Sequence, residues 1–292
     1  MEKNLEFIEL YCTVCQEYCN ITVRESQRLS NNFCPKFTDE ECISIYLWGI
    51  ANQKYDVKAI YNFINDFYEG WFPDLPAYQN FNRRICNLCD VFRQMAGRLV
   101  CKKMDICAIE WAELIHLLDS MPIIVANERR SNSARAAWEL CDKGYCASKK
   151  MYYYGVKLHS LNQKQYHTLP TPVISWVTPA STSDITSAKD MLHTVYNINI
   201  FADKAYCDAD WSIELADQNV GITTPVKLKK GQGNFESDEN LFNSIVSSIR
   251  QSIESFFSWL QRKTNIQSAS KVRSANGLFS FIFARLAAIF LF

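Results

Sequence analysis

The sequence lacks a net charge, a secretory signal, a long apolar run and an internal repeat. Its 31 basic and 31 acidic residues cancel, so the total charge favours no class of partner. Glu2, Glu6 and Glu9 stand where a signal peptide needs a basic start and an apolar run. The apolar tail 277–292 contains Arg285 and is shorter than the about 20 residues that a membrane-spanning helix needs. We therefore expect a cytoplasmic protein without membrane contact, whose tail forms a buried helix.

The composition excludes a disordered chain, because 48% of the residues are apolar and 13% are aromatic. Without a signal, the twelve cysteines are expected to be reduced. Cys12, Cys15 and Cys19 follow the spacing of one helix face, and Cys86 and Cys89 form a further CxxC pair. Zinc-binding CxxC pairs usually lie in tight turns. We therefore predict small core side chains here rather than a zinc site.

Positive charge is concentrated in the C-terminal two thirds of the chain. Residues 120–170 contain eight basic and three acidic residues, and residues 226–273 contain eight basic and four acidic residues. Residues 1–110 contain 12 basic and 15 acidic residues. This distribution suits a surface that binds a polyanion.

Residues 1–108 are predicted to form an all-helical region. Thr38 and Glu41 have the spacing of a capping box, which opens a helix. Two further helices are expected, one over 57–68 and one over 78–97. The many aromatic residues of this region fall at helical spacing, so a packed core explains them better than base stacking. We expect this region to bind DNA or to mediate dimerisation.

Residues 109–292 are predicted to form an α/β domain with a mixed sheet. Apolar runs and turn signals predict four strands, two helices between them, a polar loop at 231–238 and a long helix. The strands are expected at 114–118, 152–160, 173–177 and 198–202, with a possible fifth at 221–228, and the helices at 184–196, 208–218 and 240–263.

Three acidic residues stand where an open α/β sheet places its ligands. Asp119 and Asp203 each follow an apolar strand, and Glu254 flanks the apolar stripe of the long helix with Arg250 four residues earlier. Carboxylate oxygens suit Mg²⁺ or Mn²⁺, and three of them can hold two such ions for displacement at phosphorus. The alternative is three ordinary surface or capping acids, and spacing alone leaves both interpretations open.

Four short runs occur in an order that resembles a known family. They are Asp119-Ser120-Met121-Pro122, Tyr154 to His159, Thr178-Pro179-Ala180 with Asp184, and Ala202 to Tyr206. The run from Phe72 to Tyr78, Arg250 with Glu254, and the apolar C-terminal helix also fit. Together they resemble bacterial insertion-sequence transposases of the Asp-Asp-Glu type and are most similar to the insertion-sequence 982 family.

The resemblance implies a ribonuclease-H-like catalytic domain in which Asp119, Asp203 and Glu254 hold two Mg²⁺ ions, with Mn²⁺ as a substitute. It implies double-stranded DNA as partner, both the inverted-repeat ends and the target, and a homodimer in the active complex. The expected phosphate-binding side chains are Arg250, Lys157, Arg262, Lys263 and His159. For Lys157 a solvated side chain is the default alternative, and for His159 a role in capping a strand is an equal alternative.

Two positions depart from the signature of related transposases along the last catalytic helix. Ser247 stands where a Tyr is common, and Gln261 stands where a Lys is common. Arg262 or Lys263 could replace the missing cation. The predicted function is a DNA transposase that cuts the ends of an insertion sequence and joins the freed 3′-OH to target DNA. The alternatives are a metal-dependent nuclease without strand transfer and a decayed, non-catalytic DNA-binding remnant.

Overall fold

The computed structural model describes residues 2–21, 35–106, 115–228 and 234–291. The chain divides into two compact units. The first, here called the helical unit, comprises Met1–Ile106, Arg135–Glu139 and Leu260–Phe292. The second, here called the sheet unit, comprises Cys107–Ala134 and Leu140–Trp259. The predicted domain boundary at 108/109 lies outside the described residues. Each compact unit is built from separate segments of the chain, whereas the sequence predicted two continuous domains.

Among its described residues, the helical unit contains five N-terminal α-helices and one C-terminal α-helix. They are α1 (Glu2–Cys19), α2 (Asp39–Ala51), α3 (Val57–Tyr68), α4 (Tyr78–Asn87), α5 (Cys89–Ile106) and α9 (Ala275–Ala288). The predicted capping box is confirmed, because the Thr38 side chain accepts from the backbone N–H of Glu41 and the Glu41 side chain accepts from that of Thr38. The helix predicted over 78–97 is instead two helices, which break at Leu88.

Helix α9 is the central element of the helical unit. It packs against α5, α4 and α2, and its side chains from Ser280 to Ala288 are all buried. The N-cap Ser274 accepts a hydrogen bond from the backbone N–H of Gly277, and the Ser280 hydroxyl donates to the carbonyl oxygen of Ile85. The buried terminal helix predicted from the apolar tail is therefore observed. No helix in the described part of the chain is long and apolar enough to cross a membrane.

The sheet unit is built on six strands in the order β2-β3-β1-β5-β6, with β4 also pairing with β3. The strands are β1 (Ile115–Asn127), β2 (Asp142–Cys146), β3 (Met151–Gln163), β4 (Thr171–Pro179), β5 (Ile198–Ala202) and β6 (Val220–Thr223). Strand β3 runs antiparallel to β1, β2 and β4, whereas β1, β5 and β6 are parallel to one another. Three helices complete the unit: α6 (Asp184–Leu192), α7 (Ala209–Ala216) and α8 (Ser237–Thr264), whose last turn belongs to the helical unit.

Two features of the sheet were not predicted. The first strand does not end at Asp119 but continues to Asn127, because β3 pairs with it along almost its whole length. Strand β2 was missed, because its sequence is short and only two of its five residues are buried. Gly155 permits the crowding of β1, β2 and β3, since a Cβ there would lie 2.1 Å from the carbonyl oxygen of Ile123.

The mixed α/β architecture with an all-helical N-terminal region is the one that the sequence predicts. Apolar side chains of the sheet pack with α6 and α7 in a buried cluster that includes Leu118, Ile200, Leu192 and Leu215. Part of the polar loop predicted at 231–238 lies outside the described residues, and α8 already begins at Ser237.

Candidate active site

The parallel pairing of β1 with β5 brings Asp119 and Asp203 to neighbouring positions. Leu118 is paired with Ala202, and each aspartate is the next residue along its strand. Asp203 directly follows the end of β5, whereas Asp119 continues in β1 beside Ser160 of β3. The prediction that these two carboxylates converge on one crevice therefore agrees with the sheet register.

Arg250 of α8 forms ion pairs with both aspartates. Its guanidinium nitrogens lie 3.7 Å from Oδ2 of Asp119 and 3.5 Å from Oδ1 of Asp203. The Arg250 side chain is only 10% exposed, and its Nε is buried without a hydrogen-bond partner among the described residues. The positive charge of the Arg250 guanidinium therefore lies between the two carboxylates.

The environment of Asp119 disfavours the ionised form of its carboxyl group. Burial raises its pKa to about 7, against the lowering effects of the Ser120 backbone N–H and Arg250. The negative charges of Asp203 and Asp184 act on this pKa in the same direction as burial. Because opposite charge favours the ionised form of a carboxyl group, additional cationic charge beside Asp119 would lower this pKa.

A second polar group lies next to Asp119 and was not predicted as part of the site. Asp184, in the first turn of α6, accepts hydrogen bonds from the Ser120 hydroxyl at 3.2 Å and from the Lys157 ammonium at 3.0 Å. Lys157 also donates to the carbonyl oxygen of Thr182. Lys157 is therefore held by protein groups rather than solvated. The position of Asp184, shortly after the run Thr178-Pro179-Ala180, was the sequence signal that could have identified it.

His159 is placed inside the sheet. It is 0% exposed, its Nε2 shares a hydrogen bond with the Thr178 hydroxyl at 2.8 Å, and its ring stacks on Trp176. Burial lowers the pKa of His159 to about 4, although Asp184 acts in the opposite direction. The neutral, buried ring does not fit the phosphate contact predicted for it and agrees with the alternative structural role.

Comparison with known proteins decides the family. The chain matches the family described as transposase DDE domain over residues 111–291. It belongs to that family. No characterised protein and no solved structure shows a significant match to the chain. The fold class predicted from the resemblance, a ribonuclease-H-like mixed sheet flanked by helices, is confirmed for this DDE transposase domain.

Glu254 is the third acid expected of a DDE transposase domain, and it stands apart from the two aspartates. It lies one turn after Arg250 on α8, is exposed, and has no hydrogen bond or ion pair with any described residue. In the part of the chain that the structure describes, no three His, Cys, Asp or Glu side chains are grouped closely enough to hold a metal ion. The structure therefore brings together two members of the predicted triad.

The donor groups nevertheless suit a divalent metal. Asp119 and Asp203 offer hard carboxylate oxygens, which Mg²⁺ and Mn²⁺ prefer. The guanidinium of Arg250 contacts both carboxylates, so a cation is already favoured between them. Glu254 projects from the same helix as that guanidinium. A metal held by Asp119 and Asp203 would compete with Arg250 for the same oxygens.

The remaining predicted phosphate contacts lie at the end of α8. Arg262 and Lys263 are exposed in its last turn. Gln261, at the position where related proteins commonly have Lys, donates to Oδ1 of Asn265 and accepts from the backbone N–H of Gln267. It thus closes the C-terminal end of the helix, a role that the sequence did not suggest.

Tyr206 is a further residue that sequence reasoning missed. It lies in the short 3₁₀ turn Lys204–Tyr206 after Asp203, is 1% exposed, and its hydroxyl has no hydrogen-bond partner among the described residues. Burial and the charges of Asp184, Asp119 and Asp203 raise its pKa well above the ordinary value. The neutral phenol therefore lies within the electrostatic reach of the aspartates. Its place in the Ala202–Tyr206 run was the available signal.

Proposed function

We propose that the protein is a DNA transposase that cleaves the ends of an insertion sequence and joins them to target DNA. Membership of the transposase DDE domain family supports the reaction class. The observation that carries the assignment of the site is the pair Asp119 and Asp203, held at adjacent strand positions with the Arg250 cation between them. Asp119, Asp203 and Glu254 are the proposed catalytic residues.

The proposed reaction is an in-line displacement at phosphorus. A water oxygen bonds to the phosphorus at the element end, the bond from phosphorus to the 3′ oxygen breaks, and that oxygen leaves as a 3′-OH. The 3′-OH then attacks a target phosphodiester, and one target oxygen leaves in turn. Two bound Mg²⁺ ions, or Mn²⁺ ions, would supply activation of the attacking oxygen and stabilisation of the charge that develops on the phosphate.

The residues of the chain have separate parts in this scheme. Asp119 and Asp203 would hold the metals, with Glu254 as the third ligand. Arg250 would be displaced from the aspartates and become available to a DNA phosphate, a bidentate partner for guanidinium. Asp184 is a positioning residue, because it holds Ser120 and Lys157 beside Asp119.

Four further features of the proposal follow from the resemblance. The protein acts on inverted-repeat ends of double-stranded DNA as a homodimer and comes from a bacterial element similar to the insertion-sequence 982 family. The exposed Arg262 and Lys263 contact DNA phosphates. A catalytically decayed DNA-binding remnant is the second candidate, because Ser247 and Gln261 depart from the signature and Glu254 is not grouped with the aspartates. A related nuclease without strand transfer is the other alternative.

The test uses a linear duplex that carries the sequences flanking the reading frame, with a supercoiled plasmid as target. In Mg²⁺ we expect strand cleavage and joined product, and in buffer with chelator neither. Asp119→Asn and Asp203→Asn should each reduce the cleavage rate by about 1000-fold or more, since a metal ligand is worth several kcal/mol in the transition state. Glu254→Gln should have a similar effect.

Asp217→Asn is the matched control, since Asp217 is an exposed acid of the same unit at the end of α7. It should cleave at the rate of the unchanged protein, and all variants should bind DNA equally well. Cleavage without joining would favour the nuclease. Metal-dependent cleavage that survives in Asp119→Asn would remove this residue from the active site.

A further inference from the structure

Arg285 of α9 is a buried cation whose described partners are all neutral. Its side chain is 0% exposed. It donates to the carbonyl oxygens of Thr264, Phe281 and Tyr55 and to the hydroxyl of Tyr46. None of these acceptors carries a charge, so the hydrogen bonds satisfy the guanidinium without neutralising it. A buried charge normally has a counter-ion, because desolvation is costly.

The partners of Arg285 form one wall of a cavity in the helical unit. Tyr46, Tyr55 and Phe281 all line this cavity of about 520 Å³. This volume falls within the range of about 300–1,000 Å³ that is typical of small-molecule sites. The cavity therefore lies directly against the neutral groups that surround a buried positive charge.

Other side chains that line the cavity are positively charged. Lys58, Lys271 and Arg273 line it, whereas Asp56 is the only acid among the described lining residues. The Asp56 carboxylate caps α3 by accepting from the backbone N–H of Ala59, and its single negative charge leaves the lining side chains with a net positive charge. Charge alone thus favours an anion in this cavity.

Two helices begin at the cavity, and aromatic surface lies beside it. Helix α3 starts at Val57 and helix α9 starts just after Ser274, and both residues line the cavity. The N-terminal end of α9 has a partial positive charge that favours a phosphate group, whereas the N-terminal end of α3 is already capped by the Asp56 carboxylate. Tyr78 also lines the cavity, with the Lys58 ammonium 4.6 Å from its ring centroid. A planar base could stack on such a ring.

We propose that this cavity binds the phosphate of a nucleotide, with the base against Tyr78 and the phosphate near Lys271 and Arg273. A free nucleotide and a nucleotide within a DNA strand offer the same phosphate chemistry, and the experiment below distinguishes the two. Arg285 does not itself line the cavity, so the direct contacts to the phosphate come from Lys271 and Arg273. The site belongs to the helical unit and does not depend on the proposed catalytic residues.

The experiment is isothermal titration calorimetry on the full chain in buffer with chelator, so that metal-dependent binding at the aspartates is excluded. The ligands are deoxyadenosine monophosphate, deoxyadenosine without phosphate, and a short DNA duplex. The test variant is Lys271→Gln with Arg273→Gln. Its side chains are exposed, and Arg273 donates only to backbone carbonyls of Ser270 and Val272. The matched control is Lys3→Gln with Arg93→Gln, which removes the same charges from exposed positions outside the cavity.

We expect the phosphate-bearing ligands to bind and deoxyadenosine not to bind. The test variant should weaken binding by about tenfold or more, the factor that corresponds to about 1.4 kcal/mol, and the control should not. A second variant, Lys58→Gln, should also weaken it. Binding of the mononucleotide identifies a free nucleotide as a source, and binding of the duplex alone identifies a DNA strand. The proposal is overturned if no phosphate-bearing ligand binds, or if test variant and control weaken binding equally.

Discussion

Two basic side chains of the sheet unit, Arg250 and Lys157, form ion pairs that the sequence did not indicate. Arg250 is shared between Asp119 and Asp203, although its sequence position indicated only that it lies on the same helix face as Glu254. Lys157 was expected to reach DNA and instead pairs with Asp184. In both cases the partner comes from a distant part of the chain. Sequence spacing does not report such pairs.

The burial of His159 should make the free energy of unfolding depend on pH. Its pKa in the folded protein is lowered by burial to about 4, below the about 6.5 of an unfolded chain. The unfolded state therefore binds the proton more tightly between these values. The contribution of this residue to stability is complete above about pH 6.5 and decreases as the pH falls toward 4, by up to about 3 kcal/mol.

The measurement is urea denaturation between pH 4 and pH 7.5, compared with His159→Gln. The variant should be less stable at pH 7.5 and should lose less stability on acidification than the unchanged protein. His193→Gln is the matched control, because it makes the same substitution at an exposed position at the end of α6. Parallel curves for His159→Gln and the unchanged protein would show that His159 does not titrate as described.

At the scale of elements, the structure shows how helix α8 ends. The apolar stripe predicted its course well, and the observed range Ser237–Thr264 extends the prediction by only a few residues. The end itself depends on side chains that contact the backbone beyond the helix. The Gln261 side chain accepts from the N–H of Gln267 at 2.8 Å and donates to Asn265, which has a positive φ of 52°.

Gln261→Lys should therefore have two opposite effects. The substitution removes both hydrogen bonds and should lower the free energy of unfolding by about 1–2 kcal/mol. A cation at this position could still strengthen DNA binding at low salt, by on the order of 1 kcal/mol, an effect that should shrink as salt rises. The measurements are urea denaturation and fluorescence anisotropy with labelled DNA at two salt concentrations.

Gln251→Lys is the matched control, since Gln251 is exposed on the same helix and its side chain has no hydrogen bond among the described residues. It should leave stability unchanged. If Gln261→Lys is as stable as this control, the hydrogen bonds at the end of α8 do not contribute to folding. If neither variant alters DNA binding, α8 does not follow the DNA backbone.

At the scale of the whole molecule, the two ends of the chain belong to the same compact unit. Residues 260–292 group with residues 1–106, although the family match extends over 111–291. Helix α9 has a continuous buried run from Ser280 to Ala288 and packs against α5, α4 and α2. A division of the chain near residue 108 therefore separates α9 from the helices that cover it.

This arrangement predicts that neither fragment of such a division is stable. A fragment 1–108 should show broad unfolding without cooperativity, because it loses the buried face of α9, and a fragment 110–292 should aggregate because it exposes that face. Thermal unfolding followed by circular dichroism, with light scattering, is the measurement. Co-expression of both fragments should restore a cooperative transition. If fragment 1–108 alone unfolds as sharply as the full chain, α9 is not required for the helical unit.

The sequence alone determined which residues form most of the helices and strands. Local signals were sufficient for the capping box at Thr38, the helix over 57–68 and strand β5, because each depends on neighbours a few residues apart. The ordered motifs also indicated the transposase family, which the match over 111–291 shows. These features require no knowledge of distant contacts.

The tertiary structure alone decided which of these residues meet. The register of β1 with β5 places Asp119 beside Asp203, and α8 then inserts Arg250 between them. Long-range packing likewise decided three other features. They are the pairing of Asp184 with Lys157, the burial of His159, and the position of the Arg285 partners beside the cavity. Each joins segments between about twenty and more than two hundred residues apart. Contacts of that separation depend on how strands and helices pack, which periodicity and motif spacing do not encode.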